Sequence, residues 1–434
     1  MDYSYDAVII GAGIIGASIA YELAKKGQRT LNLDRLPASG YGSTGASCAI
    51  IRTHYSTLDG SALAYESFFT WKDWPGYIGV RDERGLAKYF NTGVVVIKTE
   101  LNKHLEPICA IMDELGIPYE HWDNKLLSNK LPIYDLRKFS PVRRPGDPGF
   151  GEPTGGVVDG AVFFPNGGYV SDPQLATHNI QVAAEARGAK FRFNTEVVEI
   201  RQEDGRTAGV VLKGGEAIDA PVVVNVAGPH SYIINRMAGV EAGMNIKTRA
   251  LRQEVAHVPS PEGFNFEEDG YVISDSDIGC YSRPEIGNHI LVGSEDPACD
   301  EREWVDPDDY NREFSEQWTA QVHRTAQRIP TLGIPGQAKG VVDLYDVTDD
   351  WIPIYDKSDL PGFYMAVGTS GNQFKNAPVA GAMMAALIEA CEGGRDHDAD
   401  PVHFELPNIA RSLDLGFFSR RRKINTDSSF TVLG

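Results

Sequence analysis

A chain of 434 residues, 42% of them hydrophobic but nowhere in a run long enough to cross a bilayer, can fill two or three cored domains. Its formal net charge of −19 argues against general nucleic-acid binding and against docking on an anionic membrane, yet permits a small anionic substrate in a local cationic pocket. Five scattered cysteines (Cys48, Cys109, Cys280, Cys299, Cys391) have neither disulfide nor metal-ligand spacing, and the first strand begins almost at Met1; the expectation is a cytoplasmic protein with reduced thiols and no leader peptide.

The first predicted element is the apolar strand Ala7-Val8-Ile9-Ile10, which runs into Gly11-Ala12-Gly13-Ile14-Ile15-Gly16 and then a helix through Ala24, with Ile15, Ile19 and Leu23 on one face. A second strand, Thr30–Leu33, ends in Asp34. Strand, glycine turn, helix and an acid about 20 positions on form a dinucleotide-binding fingerprint. Gly11 permits the tight turn, Gly13 the approach of a pyrophosphate to backbone, and Gly16 the close packing of helix on strand; Asp34 is placed for a ribose hydroxyl. The phosphates belong at the helix N-terminus, where free N–H groups and the dipole favour negative charge.

The stretch 35–47 is rich in glycine and hydroxyls, so backbone can lie close to a flat ligand. Arg52 follows in an apolar setting, where a cation either binds an anion or pairs with a structural carboxylate. Residues 58–74 read as a helix with a core-packing aromatic face, 93–97 as a strand, 102–115 as a helix, and 135–156 as a long excursion or lid. A strand is expected at 157–164 and a helix at 172–188, opened by Ser171-Asp172-Pro173. Strands follow at 191–200 and 209–212. The run 221–228 is apolar on both faces, as a buried parallel strand is, so the nucleotide domain resumes there. Alternating segments over 248–293 predict an antiparallel sheet, and 307–328 a helix. The buried-strand pattern returns at 362–368 and leads through 369–378 into a helix ending near Glu392. The basic run Arg420-Arg421-Arg422-Lys423 reads as a solvated or partner-facing face.

Taken together, the fingerprint, the loop Gly42–Ser47 with Ile50-Ile51-Arg52, the strand Val222–Gly228 and Gly368-Thr369-Ser370-Gly371-Asn372-Gln373-Phe374-Lys375 resemble the flavoprotein amine oxidases and dehydrogenases of the D-amino-acid oxidase superfamily, in particular the sarcosine oxidase (beta-subunit-like) branch. The resemblance implies an α/β, Rossmann-like FAD-binding domain of glutathione-reductase type, discontinuous over 1–85, 156–235 and 336–410. It also implies an α+β substrate domain with an antiparallel sheet over 86–155 and 236–335, and leaves 411–434 as a tail. Gly11, Gly13, Ile14, Ile15, Gly16, Asp34 and Arg35 are then expected on the ADP part of FAD, and Ser43, Thr44, Gly45 and Ser47 along pyrophosphate and flavin. Val197 is expected at the adenine, Ala227 and Gly228 on the ribityl side, and Gly371, Asn372, Gln373, Phe374 and Lys375 at the flavin pyrimidine edge.

By the same resemblance Arg52 and Lys375 hold a substrate carboxylate and Tyr345 is an active-site tyrosine; His54 either borders the substrate or is a satisfied structural histidine. The fork of Arg and the point charge of Lys suit that task physically. Asp343 stands near the position of the flavin-tethering cysteine of single-chain relatives, and nothing around 157–162 matches the tethering histidine of the multi-subunit ones; a single non-covalent FAD is expected. No lysine occurs between Lys247 and Lys339, where the single-chain oxidases place an oxygen-activating lysine, which favours a dehydrogenase unless Arg252 or His257 substitutes. The expected activity is oxidation of the C–N bond of a carboxylate-bearing amine (a sarcosine-like or opine-like N-substituted amino acid), with hydrolysis of the imine. Electrons pass to O2 or another acceptor, with partner subunits as a further implication. The alternatives are a 2-hydroxy acid dehydrogenase using His54 or His257 as base, and a non-catalytic FAD-bound subunit or assembly factor.

Overall fold

The computed structural model describes residues 4–434. A six-stranded sheet runs in the order Ile354–Lys357, Phe363–Val367, Val222–Asn225, Ala7–Ile10, Thr30–Leu33, Lys190–Arg192. It is parallel throughout except at the outermost pair, Ile354–Lys357 with Phe363–Val367. Its central strand is flanked in register by Val222 and Thr30 opposite Ala7. Ala7 and Ile9 enter one apolar core and Val8 and Ile10 another, which is why this strand is apolar at every position. The helices Ile14–Lys25, Pro173–Glu185 and Ala377–Glu392 cover one face. Pro173 occupies the first turn, and Asp172 caps the second of these helices through the Leu175 N–H.

The second large unit is an eight-stranded sheet: Gly340–Thr348, Thr248–Pro259, His289–Ser294, Cys280–Glu285, Val272–Asp275, Val94–Ile97, Ala161–Phe164, Glu120–Trp122. All its pairings are antiparallel apart from Val272–Asp275 with Val94–Ile97. One face meets the helix Glu316–Arg328 across a core containing Trp318 and Val322; the other roofs the cavity described below. The strands Ala161–Phe164 and Gly340–Thr348 lie in this sheet, although the expected ranges 156–235 and 336–410 place them with the nucleotide domain.

Several local expectations are corrected. The segment 135–156 does not reach the cavity. Instead, the Phe139 and Ser140 N–H groups bond Asp277, and Arg324 Nε bonds the Arg143 carbonyl, so it is stitched to the back of the roof sheet and is no lid. The helix expected from 307 begins only at Glu316, where Ser315 caps it; the preceding residues are an irregular loop. The strand expected over 191–200 is two strands in different sheets, Lys190–Arg192 and Val197–Glu203. Only part of the basic run is a solvated face: Arg421 and Lys423 are exposed, but Arg420 is fully buried among Asp356, Asp359 and Asp398, and Arg422 is paired with Asp350. All five cysteines are free thiols. No helix among the described residues is long and apolar enough to cross a membrane.

Candidate active site

A cavity of about 600 Å³ runs from the carboxyl ends of the parallel strands to the roof sheet. At one end is the glycine turn. Gly11 has φ +121° and lies so close to the next strand that a Cβ would sit 2.3 Å from the Val226 carbonyl oxygen; only glycine fits. Asn32, which belongs to no motif in the sequence, donates to the Gly11 and Gly16 carbonyls and ties the turn to the second strand. Gly13 caps the first helix without any side-chain bond, and Thr44 Oγ1 accepts from the Ile14 N–H. Asp34 accepts from the Ala12 and Leu36 N–H groups at 2.7 and 2.8 Å; its burial pushes its carboxyl pKa up despite these bonds.

Gly11, Gly13, Ile14, Ile15, Gly16, Asp34 and Arg35 all line this end, as do Ser43, Thr44, Ser47, Val197, Ala227 and Gly228. Gly45 does not. It is turned toward the helix Pro173–Glu185, where a Cβ would meet Gln174 and the Gly40 carbonyl. Arg35, just past the end of the second strand, pairs with Asp308 at 2.7 Å, and His230 joins the same carboxylate at 3.0 Å, tying down the loop before Ser315. Asp346, near the end of the roof strand Gly340–Thr348, also reaches the cavity. Its Oδ2 accepts from the Gly368 N–H and the Ser231 hydroxyl, while its buried Oδ1 has no partner. Burial pushes this carboxyl up to about 7.

The other end is built by 369–375 and the loop after Arg52. Gly371, with φ +69°, lets the chain pass beneath the Tyr345 ring; a Cβ would lie 2.5 Å from that ring. Asn372, Gln373 and Phe374 line the wall, and the buried Asn372 Nδ2 has no partner. Lys375 is 3% exposed and donates to the Tyr55 hydroxyl at 2.8 Å and to the Asn372 carbonyl at 2.6 Å. Arg52 is 7% exposed; its guanidinium stacks 4.2 Å from the centre of the Tyr55 ring and donates to the carbonyls of His54 and Val432. Among the described residues no carboxylate lies within ion-pair distance of either cation. Burial and the neighbouring Arg52 hold the Lys375 ammonium well below its ordinary pKa. His54 stacks on Phe164 at 4.2 Å, and burial beside two cations keeps it neutral.

The roof over these groups presents Gln253, Val255, Tyr281 and Tyr345, with the two tyrosine hydroxyls 3.5 Å apart. The two alternative roof cations are turned away. Arg252 points to the helix side, paired with Glu254 at 2.7 Å, and the His257 ring lies tilted against that of His289 with centroids 4.5 Å apart; neither lines the cavity. Tyr55, Asp346 and Tyr281 carried no motif of their own, although Tyr55 lay beside His54 and Asp346 beside Tyr345, both already singled out.

A long cleft fits an extended cofactor here: it has a helix N-terminus whose N-cap residue, Gly13, offers no side-chain acceptor, a Cβ-free glycine at the approach, and two orphaned buried polar atoms, Asn372 Nδ2 and Asp346 Oδ1. No metal-binding group of three or more His, Cys, Asp or Glu side chains occurs among the described residues. The comparisons with known proteins agree with this geometry. The chain is 24% identical to a glycine oxidase of Geobacillus kaustophilus, over 91% of its own length and 96% of the relative's. It is 25% identical to a sarcosine oxidase subunit beta of Rhodobacter capsulatus, over 88% and 84% respectively. Among solved structures, L-proline dehydrogenase from P. horikoshii superposes with a TM-score of 0.75 at 21% identity, over 97% of this chain and 98% of that one, and shares the fold. The family of FAD dependent oxidoreductases designated DAO matches residues 6–387, and the chain belongs to it.

Proposed function

We propose that this FAD-dependent oxidoreductase oxidises the C–N bond of a carboxylate-bearing amine, an N-substituted amino acid of the sarcosine-like or opine-like kind. The observation that carries the reading is the buried pair Arg52 and Lys375, two cations on the cavity wall with no carboxylate of their own. Burying uncompensated charge is costly, so such a pair is retained where a ligand supplies the counter-charge. The relatives' names, glycine oxidase and sarcosine oxidase subunit beta, support a small amino acid and, for the latter, partner subunits.

When bound, FAD supplies a two-electron acceptor for the carbon next to nitrogen, after which water hydrolyses the imine to a carbonyl compound and an amine. The chain's own residues bind and orient. Arg52 offers a fork of N–H groups to the carboxylate and Lys375 Nζ a point charge. That carboxylate restores the proton affinity that burial and Arg52 remove from Lys375, so the ligand and the ammonium proton arrive together. Tyr281 and Tyr345 close the roof against water. FAD is held without a covalent link. The roof offers neither a lysine nor Arg252 or His257, which favours an electron acceptor other than O2.

The 2-hydroxy acid alternative needs a base at the hydroxyl. His257 lies off the cavity. His54 lines it with a partnerless Nδ1, but burial between Arg52 and Lys375 makes its protonated form costly. The test is anaerobic bleaching of the flavin band by sarcosine, other N-methyl amino acids, opines, D- and L-amino acids and 2-hydroxy acids. Bleaching by one amine class, lost in Arg52→Ala and Lys375→Ala with FAD still bound, is expected; bleaching by hydroxy acids alone, or variants that turn over unchanged, would sink the proposal. Readmitted air then distinguishes oxidase from dehydrogenase by how fast the colour returns.

A further inference from the structure

The segment 428–434 returns from the far side of the nucleotide unit and ends its described course inside the site. Its root is fixed by the buried Arg420 and by Arg422, which grips Asp350. Arg302 then holds the Phe430 carbonyl at 2.6 Å, and the Val432 side chain packs with Leu251, Tyr281, Val347 and Trp351. Val432 and Leu433 line the cavity, and the Ser56 N–H bonds the Gly434 carbonyl at 3.1 Å. Gly434 is pressed against the face of Tyr55, where an added Cβ would lie 2.2 Å from a ring carbon.

The contact that matters is with Arg52. Its Nη1 donates to the His54 carbonyl and its Nη2 to the Val432 carbonyl, the latter at 3.2 Å. A guanidinium has five N–H groups, so three remain for a ligand. Carbonyls are neutral: they orient the cation without cancelling its charge, as a carboxylate in the same place would.

We propose that residues 428–434 form a wall of the substrate site, with the Val432 carbonyl as a positioning group that aims the free N–H groups of Arg52 at the incoming carboxylate. The inference rests on the carboxylate reading above and adds to it a specificity element outside the family match, which ends at residue 387. A pocket closed by Val432 and Leu433 on the arginine side takes an amino acid with a short carbon chain between carboxylate and amine.

The test compares the FAD-loaded full chain with a chain ended at Thr426 and with Gly434→Ala, which dislodges the segment sterically. Acetate and propionate are titrated while the flavin absorbance is followed, and the rate of bleaching by the best amine is measured at saturation. The expected result is a carboxylate Kd raised about tenfold or more in the shortened chain, the loss of a charge-assisted alignment. Gly434→Ala shifts in the same direction, and KM for the amine rises far more than kcat falls. Should shortening abolish FAD binding, Gly434→Ala decides alone. Carboxylate affinities equal to the full chain's in the variants would overturn this inference and leave the functional reading standing. A full chain that answers no carboxylate and no amine overturns both.

Discussion

Lys375 and Arg52 lean on the same side chain: the Lys375 ammonium sits 2.8 Å from the Tyr55 hydroxyl, and the Arg52 guanidinium stacks 4.2 Å from the centre of the Tyr55 ring. One tyrosine thus separates two like charges and fixes both, its hydroxyl in turn donating to the Asn372 carbonyl. Tyr55→Phe keeps the ring under Arg52 and removes the hydroxyl that holds Lys375. Its expected cost is the net worth of one hydrogen bond to a charged group, about 1.5–3 kcal/mol, or roughly tenfold and upward in Kd for a carboxylate. Tyr55→Ala loses the cation–π contact as well and should bind still more weakly. Flavin-monitored titration checks both; equal affinities for Tyr55→Phe and the unaltered protein would show that the hydroxyl positions nothing.

The depressed proton affinity of Lys375 has a thermodynamic consequence. Because burial and Arg52 lower its pKa, the free site is partly deprotonated at a pH where a lysine in water is charged. A bound carboxylate raises that pKa again, so binding takes up a proton between the free-site and the occupied-site pKa, and affinity falls as pH climbs across that window and levels off above the latter. Calorimetry of acetate binding in buffers of different ionisation enthalpy should report proton uptake that vanishes in Lys375→Met. Uptake of the same size in that variant would assign the proton to another group.

The parts of this molecule that the sequence announced are those where backbone geometry leaves no choice of residue. Gly11 sits 2.3 Å, by its absent Cβ, from a neighbouring carbonyl, and the strand through Ile9 and Ile10 is buried on both faces; each leaves a mark that short-range reading detects. Tyr55, Asp346 and Val432 leave none. Asp346 and Val432 reach the cavity, and Tyr55 comes to lie against Arg52 and Lys375, because distant strands and a returning tail converge; the contact between Arg52 and Val432 spans 380 positions. Gly45 shows the converse: a glycine in a loop of the expected type serves helix packing against Gln174 instead. The basic run misled for a related reason. Charge alone signals solvent, and only the fold supplies Asp356, Asp359 and Asp398 around Arg420.

Two buried carboxyls, Asp346 and Glu295, are pushed up to about 7 by desolvation, although Asp346 accepts from the Gly368 N–H and Glu295 from the Ser274 and Ser276 hydroxyls. A folded-state pKa above the unfolded one means that the native protein binds the proton more tightly. Stability from this source is full below the unfolded carboxyl range and is lost as pH rises to about 7. The FAD-free protein should therefore melt higher at pH 5.5 than at pH 8, other titrations being corrected by the variants themselves. Asp346→Asn should raise Tm at pH 8 and change it little at pH 5.5. A Tm gain of the same size at both pH values would mean that ionisation of Asp346 is not what costs stability.

Arg420 and Arg421 stand side by side in the basic run and should behave as opposites. Arg420 is fully buried, its guanidinium donating to Asp356 at 3.0 Å and to both oxygens of Asp398 at 2.9 and 3.0 Å, with Asp359 as a third acid. Arg420→Ala strands these acids, Asp356 among them wholly buried, and breaking a buried pair from one side typically costs about 3–5 kcal/mol. Arg421 is about half exposed and meets Asp359 and Asp398 from the solvent side, where an ion pair contributes roughly 0–1 kcal/mol. Chemical denaturation should thus move the midpoint strongly for Arg420→Ala and barely for Arg421→Ala, and added salt should narrow only the smaller effect, since screening reaches exposed charges first. Arg420 also roots the segment that ends at Arg52. Its loss is therefore expected to weaken carboxylate binding even under conditions where the variant remains folded, while Arg421→Ala leaves that affinity alone. Two variants that shift stability equally would return the whole run to the surface.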